Sequence, residues 1–366
     1  MVSSVLILGG GLAGGAAAVL AARAGMGTCL IEREIEPQDK MCGEFLSVEA
    51  QQHLAALGID IDALDAVPIN RMRLVSKGKT IEAPLPFKAI GVSRRRLDEA
   101  LLDKAARAGA TIERGIKIVG IDGGTVATSA GDRTADHLLL ATGKHDVRGA
   151  RRIEAGRSAY VGFKMHWRLP ASQREALQGN VELVLFEGGY AGLQMVGPQT
   201  ANLCLIVRRD VLAAIGGRWA DMQAMMMRDP HIQRRLGDAE KLFSRPITIG
   251  NLPYGYVSPA SQFGSSELFR LGDQAAMTAS LTGDGMAIAL RSASLAVDVL
   301  KAGGDAAGYR AMLRCHVSGQ VRRAMMLQRA TQSPVAMALG MGLLRLRPSL
   351  LGHLAKATRL PRYEAP

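Results

Sequence analysis

The stretch VSSVLILGGGLAGGAAAVLAARAG, residues 2–25, decides the fold. A short apolar strand, Val5 to Leu8, runs into Gly9, Gly11 and Gly14 in G-x-G-x-x-G spacing, and a helix of small residues opens with Leu12 and Ala13. The first glycine permits a tight turn, the second lets a pyrophosphate approach the backbone closely, and the third lets the helix pack against the strand. The helix N-terminus then faces the phosphates. A second strand, TCLIE, ends at Glu32, 18 residues after Gly14 and close to the ~20 expected of an acid that binds ribose hydroxyls. Strand, glycine turn, helix and acid in register form a dinucleotide-binding unit, with Arg33 beside the acid. They leave NAD and FAD equally open.

The far end of the chain separates the two. ELFRLGDQAAMTASLTGDGMAIALRSASLAVDVL, residues 267–300, sets a strand, Leu268 to Leu271, before Gly272-Asp273, then Gly283-Asp284-Gly285 and Met286 at the start of an apolar helix. A carboxylate at a strand end suits the ribityl chain of a flavin, and a glycine turn at a helix start suits its pyrophosphate or the polar edge of its ring. With this second signature the chain resembles the FAD-dependent oxidoreductases built on the p-hydroxybenzoate hydroxylase fold. The resemblance implies an α/β architecture: a Rossmann-type FAD-binding domain interleaved with an antiparallel β-sheet substrate domain, plus C-terminal helices. It assigns Asp273 to the ribityl chain. GVSRRRLDEALLDKAARAG, residues 91–109, resembles the family's R-x-x-L-D-x-x-L helix, with Ser93 as N-cap, Gly109 as stop and Arg94 approaching FAD. ADHLLLATGKHDVRG, residues 135–149, carries the family's A-T-G turn and puts Thr142 and Gly143 near the adenine side, and Ile118 joins the cofactor set.

A third segment, DKMCGEFLS at residues 39–47, resembles the K-x-C-G-E-x-L-S loop of the geranylgeranyl reductases, with Lys40, Cys42, Gly43, Glu44 and Ser47 matching. In that branch the loop passes the flavin ring, which makes Cys42 a flavin neighbour. A thiol there can shape the pocket, tune the flavin or deliver a proton, or it can simply let the loop pack.

At 366 residues the chain exceeds the ~250–300 that one core supports. The expected division is an FAD domain from residues 1–68, 92–155 and 263–320, a substrate domain from 69–91 and 156–262, and a helical region at 321–366. Strand-like segments such as YVGFKMHWRL and VELVLF, split by turn residues, mark the substrate lobe. Within it Met225 to Met227 read as adaptable pocket lining and Tyr254 and Tyr256 as substrate-facing, while His166 here and His145 of the FAD domain read as ordinary polar or packed histidines.

The formal charge of +12 comes from 45 basic and 33 acidic residues. No helix-turn-helix, zinc finger or aromatic RNP pattern accompanies it, which argues against nucleic acid. The charge reads first as a solvated basic surface plus phosphate binding; the expected partner is a small hydrophobic substrate, an acidic carrier protein that presents it is the functional alternative, and peripheral membrane contact through the basic C-terminal helices is not favoured. Four scattered cysteines, Cys29, Cys42, Cys204 and Cys315, suggest neither disulfides nor a metal site and fit a cytoplasmic location. SPVAMALGMGLLRLRPSLLGHLA, residues 333–355, is interrupted by Arg345, Arg347 and Pro348, short of the ~20 apolar residues of a membrane span.

For the reaction, the resemblance puts first a monooxygenase of secondary metabolism that inserts oxygen into an aromatic or polyketide-like substrate through a flavin C4a-hydroperoxide. Second stands a geranylgeranyl-reductase-like enzyme that reduces carbon–carbon double bonds of a lipid or isoprenoid. A non-catalytic flavin-binding electron carrier is the alternative of another class. Electrons come from NAD(P)H or a partner reductase.

Overall fold

The structure is a computed structural model and describes residues 3–152, 159–259 and 268–361. Its first layer is a five-stranded parallel sheet in the order Leu268–Arg270, His137–Leu140, Ser4–Leu8, Gly27–Glu32 and Thr111–Arg114. Parallel strands covered on both faces are nearly continuous apolar runs. Accordingly Val5 and Ile7 pack on one side with helices Leu12–Arg23, Arg94–Arg107 and Gly285–Lys301, while Leu6 and Leu8 pack on the other with Ile121 and Val126 of a small hairpin. The strand expected to end at Leu271 ends at Arg270.

The second layer is a nine-stranded sheet. Its order is Glu240–Lys241, Tyr160–Arg168, Thr200–Arg208, Gly189–Met195, Gly179–Phe186, Val67–Ser76, Lys79–Gly91 and Phe45–Leu46, with Ile247–Gly250 also paired to Tyr160–Arg168. The expected antiparallel sheet holds except at one pair: Gly179–Phe186 runs parallel to Val67–Ser76. A long crossover joins those two strands, which is what a parallel pairing requires. Side chains alternate across the sheet, so Phe163, Met165 and Trp167 enter a core with Met222 and Met226. Met225 and Met227 pack against the same core, so the methionine run lies behind the sheet and not on a pocket wall as expected.

The expected divisions at 155/156 and 262/263 lie outside the described residues. The one at 320/321 falls inside a single helix, Ala306–Gln332, which packs on the FAD-side core through Tyr309, Val317 and Val321. Tyr309 Oη donates to Arg270 O at 2.7 Å, tying this helix to the edge strand of the parallel sheet. Helices Pro334–Leu346 and Ser349–Ala357 follow, and among the described residues no single helix is long and apolar enough to cross a membrane.

Candidate functional site

A cavity of about 1120 Å³ lies between the carboxyl ends of the parallel strands and the inner face of the large sheet. Ligands of open α/β sheets bind beyond those strand ends. Gly9, Gly11, Leu12, Ala13, Glu32 and Arg33 line it from the N-terminal unit, and Lys40, Cys42, Gly43 and Arg94 from the following loop and helix. Ile118, Thr142, Gly143, Gly272, Asp273, Gly283, Gly285, Met286 and Tyr254 complete the sequence-expected residues on its wall. Gly14 and Tyr256 stand apart. A Cβ on Gly14 would lie 1.9 Å from Gly9 O, the close packing expected of the third glycine. Tyr256 is buried in an apolar cluster with Leu252 and Met277 and is not on the wall.

The nucleotide end carries a donor set suited to a dinucleotide. Gly9 adopts φ +113, which an L side chain rarely tolerates, and Gly10 N donates to Glu32 Oε2 at 2.6 Å, bringing the acid to the turn. Helix Leu12–Arg23 has no side-chain cap and no acid in its first turn, so its N-terminal N–H groups remain for an anion. A Cβ on Gly11 would sit 3.5 Å from Arg94 Nη2 and 4.0 Å from Lys40 Nζ, so two cations converge on the same turn. Arg94 is fixed by a bidentate pair to Asp98 at 2.8 and 2.9 Å. Burial opposes the Arg94 charge, but Asp98 and Cys42 outweigh it and hold the guanidinium above its ordinary range. Farther along, Asp273 Oδ2 accepts from Lys144 Nζ at 2.7 Å. Helix Gly285–Lys301 also starts without a side-chain cap. Two open helix ends, a glycine cradle and convergent cations fit the pyrophosphate and ribityl parts of FAD.

Glu44 holds the loop that presents Cys42. Its side chain is fully buried at φ 60, and Oε1 accepts from the Arg94 backbone N–H at 2.8 Å, capping helix Arg94–Arg107. From the large sheet, Lys164 Nζ reaches the same oxygen at 2.7 Å and His166 Nε2 lies 2.7 Å from Oε2. Burial alone would raise the Glu44 pKa, yet Lys164 and His166 together bring it below the usual value. Asp39 Oδ1 lies 3.8 Å from both Lys164 and His166. Asp39, Glu44 and His166 are close enough to share a metal ion, but Lys164 Nζ already pairs with Glu44 at 2.7 Å. Lys164 Nζ also donates to Lys40 O at 3.1 Å, and Asn202 Nδ2 to the carbonyls of Cys42 and Gly43 at 3.1 and 2.9 Å. Three sheet side chains thus fix the loop, and the half-buried Cys42 thiol accepts from Glu44 N at 3.3 Å.

Beyond Cys42 the wall turns apolar, with Leu74, Leu85, Leu183, Leu205, Met277 and Met341. Polar side chains interrupt it, Gln194, Thr331 and Arg359 among them, and in one group Tyr254 Oη lies 2.9 Å from Ser280 Oγ, which also bonds Tyr190 Oη. Burial raises the pKa of both tyrosines, which keeps them protonated as donors. His145 lies on the nucleotide side of the cavity, and burial followed by Arg33 and Lys144 lowers its pKa.

A glycine-cradled nucleotide groove opening into an apolar chamber under a large sheet defines a flavoprotein oxidoreductase of the p-hydroxybenzoate hydroxylase-like fold. Residues 2–138 match the FAD binding domain family, and the chain is an FAD-dependent oxidoreductase. It is 25% identical over 334 residues to menaquinone reductase of Mycolicibacterium smegmatis, covering 82% of this chain and 77% of the relative. A shorter match, 34% over 120 residues, joins 31% of this chain to 24% of the chloroplastic geranylgeranyl diphosphate reductase of Nicotiana tabacum. The flavin-dependent brominase Bmp2 superposes with TM-score 0.76 at 18% identity, covering 98% of this chain and 93% of that one, which is a likeness of fold.

Proposed function

We propose that this protein reduces a carbon–carbon double bond of an isoprenoid-type lipid. The observation that carries the reading is the position of Cys42, where the nucleotide groove meets the apolar chamber, on a loop locked from the sheet by Lys164 and Asn202. FAD, when bound, supplies two-electron hydride chemistry. Gly11, Arg94 and Lys40 would hold its pyrophosphate, Asp273 with Lys144 its ribityl chain, and Glu32 its ribose. Reduction of an alkene needs a proton at the second carbon as well as a hydride at the first. Cys42 Sγ–H can deliver that proton, with the Arg94 side chain beside it.

The chamber fits a chain of hydrocarbon, and the Tyr190, Ser280 and Tyr254 hydroxyls offer hydrogen bonds to one oxygen of a head group. A relative that aligns over 82% of this chain is named menaquinone reductase, and another, over 31% of it, geranylgeranyl diphosphate reductase. Oxygen insertion, the first reading from sequence, is ranked second here because an accessible thiol is itself a target for peroxides. The electron donor is NAD(P)H or a partner reductase.

Cys42→Ala tests the reading. It should retain bound flavin by absorbance and lose about a hundredfold or more in turnover, the usual scale of a general acid. Unchanged turnover would remove Cys42 from the chemistry.

A further inference from the structure

We propose that the outer face of helix Pro334–Leu346 docks on an anionic phospholipid bilayer. The helix has two apolar faces. Met337, Gly340, Met341 and Leu344 line the cavity, one helical stripe at i, i+3, i+4 and i+7. On the opposite side Val335, Leu339, Leu343 and Leu346 are 68, 70, 54 and 81% exposed. Four large apolar side chains in one stripe form a patch of the kind that marks an interaction site, unlike isolated exposed leucines. Met326 of the preceding helix, 68% exposed, adds to the exposed apolar surface of the C-terminal helices.

Charge selects the occupant. Residues 306–361 contain nine Lys or Arg and no Asp or Glu, so the C-terminal helices hold most of the +12 net charge. Arg345 and Arg347 are exposed at the end of the apolar stripe itself. Apolar residues flanked by arginines are the pattern of a helix lying in the plane of a membrane interface, its leucines among acyl chains and its cations at anionic head groups. The helix continues into Ser349–Ala357 through a bend of 120°, which suits a segment lying on a surface. Continuity with the cavity gives the second support. A single helix separates the chamber from the exposed stripe, so a lipid leaving the bilayer meets the chamber wall directly. That access route rests on the lipid-substrate reading, whereas the docking surface is read independently of it.

The test uses the FAD-loaded full chain and flotation with vesicles of phosphatidylcholine alone or with about 30 mol% phosphatidylglycerol. The wild type should float with the anionic vesicles, less so as salt rises. Leu339→Gln/Leu343→Gln and Arg345→Gln/Arg347→Gln should each lower partitioning about tenfold or more, while flavin absorbance and melting temperature stay unchanged. No flotation of the wild type, or equal flotation of the variants, overturns the proposal. A dimer in sedimentation that Leu339→Gln/Leu343→Gln dissociates, without vesicle binding, overturns it in favour of a second copy of the chain. The vesicles contain no substrate, so docking can succeed or fail regardless of whether the alkene-reduction reading does.

Discussion

Replacing Lys164 with methionine removes the cation that neutralises Glu44 while keeping most of the side chain's volume. Glu44 and Lys164 are both 0% exposed, so water cannot take the place of the lost ammonium. Breaking a buried pair on one side costs about 3–5 kcal/mol, because the remaining charge stays in a poorly polarisable interior. His166 stays within 2.7 Å of Glu44 Oε2 and the Arg94 N–H within 2.8 Å of Oε1, which places the expected loss near 3 kcal/mol, at the lower end of that range. In the wild type the depressed Glu44 pKa makes its contribution full above the unfolded value of 4.5 and lost as pH falls through the lower folded value. In Lys164→Met that support is weakened, so Glu44 takes up a proton more readily and the deficit against wild type shrinks on acidification. Urea denaturation near neutral pH and at about pH 5 measures both effects. In a Glu44→Gln background the same lysine substitution should cost clearly less, since no buried carboxylate is stranded. A cost below about 1 kcal/mol, or an equal cost in both backgrounds, would refute the assignment of Glu44 and Lys164 as a coupled pair.

Two further perturbations probe other parts of the site. Gly14→Ala puts a methyl 1.9 Å from Gly9 O, so the glycine turn must shift; bound flavin per protein, read by absorbance, should fall sharply, and full flavin content would contradict the cradle. Burial pushes Asp284, at the start of helix Gly285–Lys301, up to about 7 from 3.8, against the pull of Arg359 and Gln320. A raised folded pKa gives stability that is full below the unfolded value and lost as pH rises through the folded one, on the order of 4 kcal/mol between about pH 4 and pH 7. Asp284→Asn should remove that slope from the wild-type curve of urea midpoint against pH; parallel curves would contradict it.

Much of the nucleotide side was legible because its residues are close in sequence and each meets a local geometric need. Gly9, Gly11, Gly14 and Glu32 lie within one βαβ unit, and Ser93 and Gly109 bracket the helix as expected, although Ser93 makes no side-chain cap because Glu44 takes that role. The sheet's contribution was hidden by distance along the chain: Lys164 and His166 meet Glu44 across about 120 residues. A signal was nonetheless present. In YVGFKMHWR the polar pair Lys164 and His166 shares one strand face and the apolar Phe163, Met165 and Trp167 the other, which on a strand under a cofactor domain marks a face turned to the site. Met225 to Met227 went the other way because composition does not tell which side of a sheet a helix covers. The same holds for Tyr254 and Tyr256, two residues apart in an irregular segment: one is on the cavity wall and the other in the core.

The most direct test of the central claim is the product formed by the FAD-loaded protein from a polyisoprenoid lipid, first without oxygen and with dithionite as reductant, then in air with NADPH or a partner reductase. The account predicts a product that has gained two hydrogen atoms, formed without oxygen and lost in Cys42→Ala. A product carrying one added oxygen atom, formed only in air, would contradict it and establish oxygen insertion as the chemistry of this site.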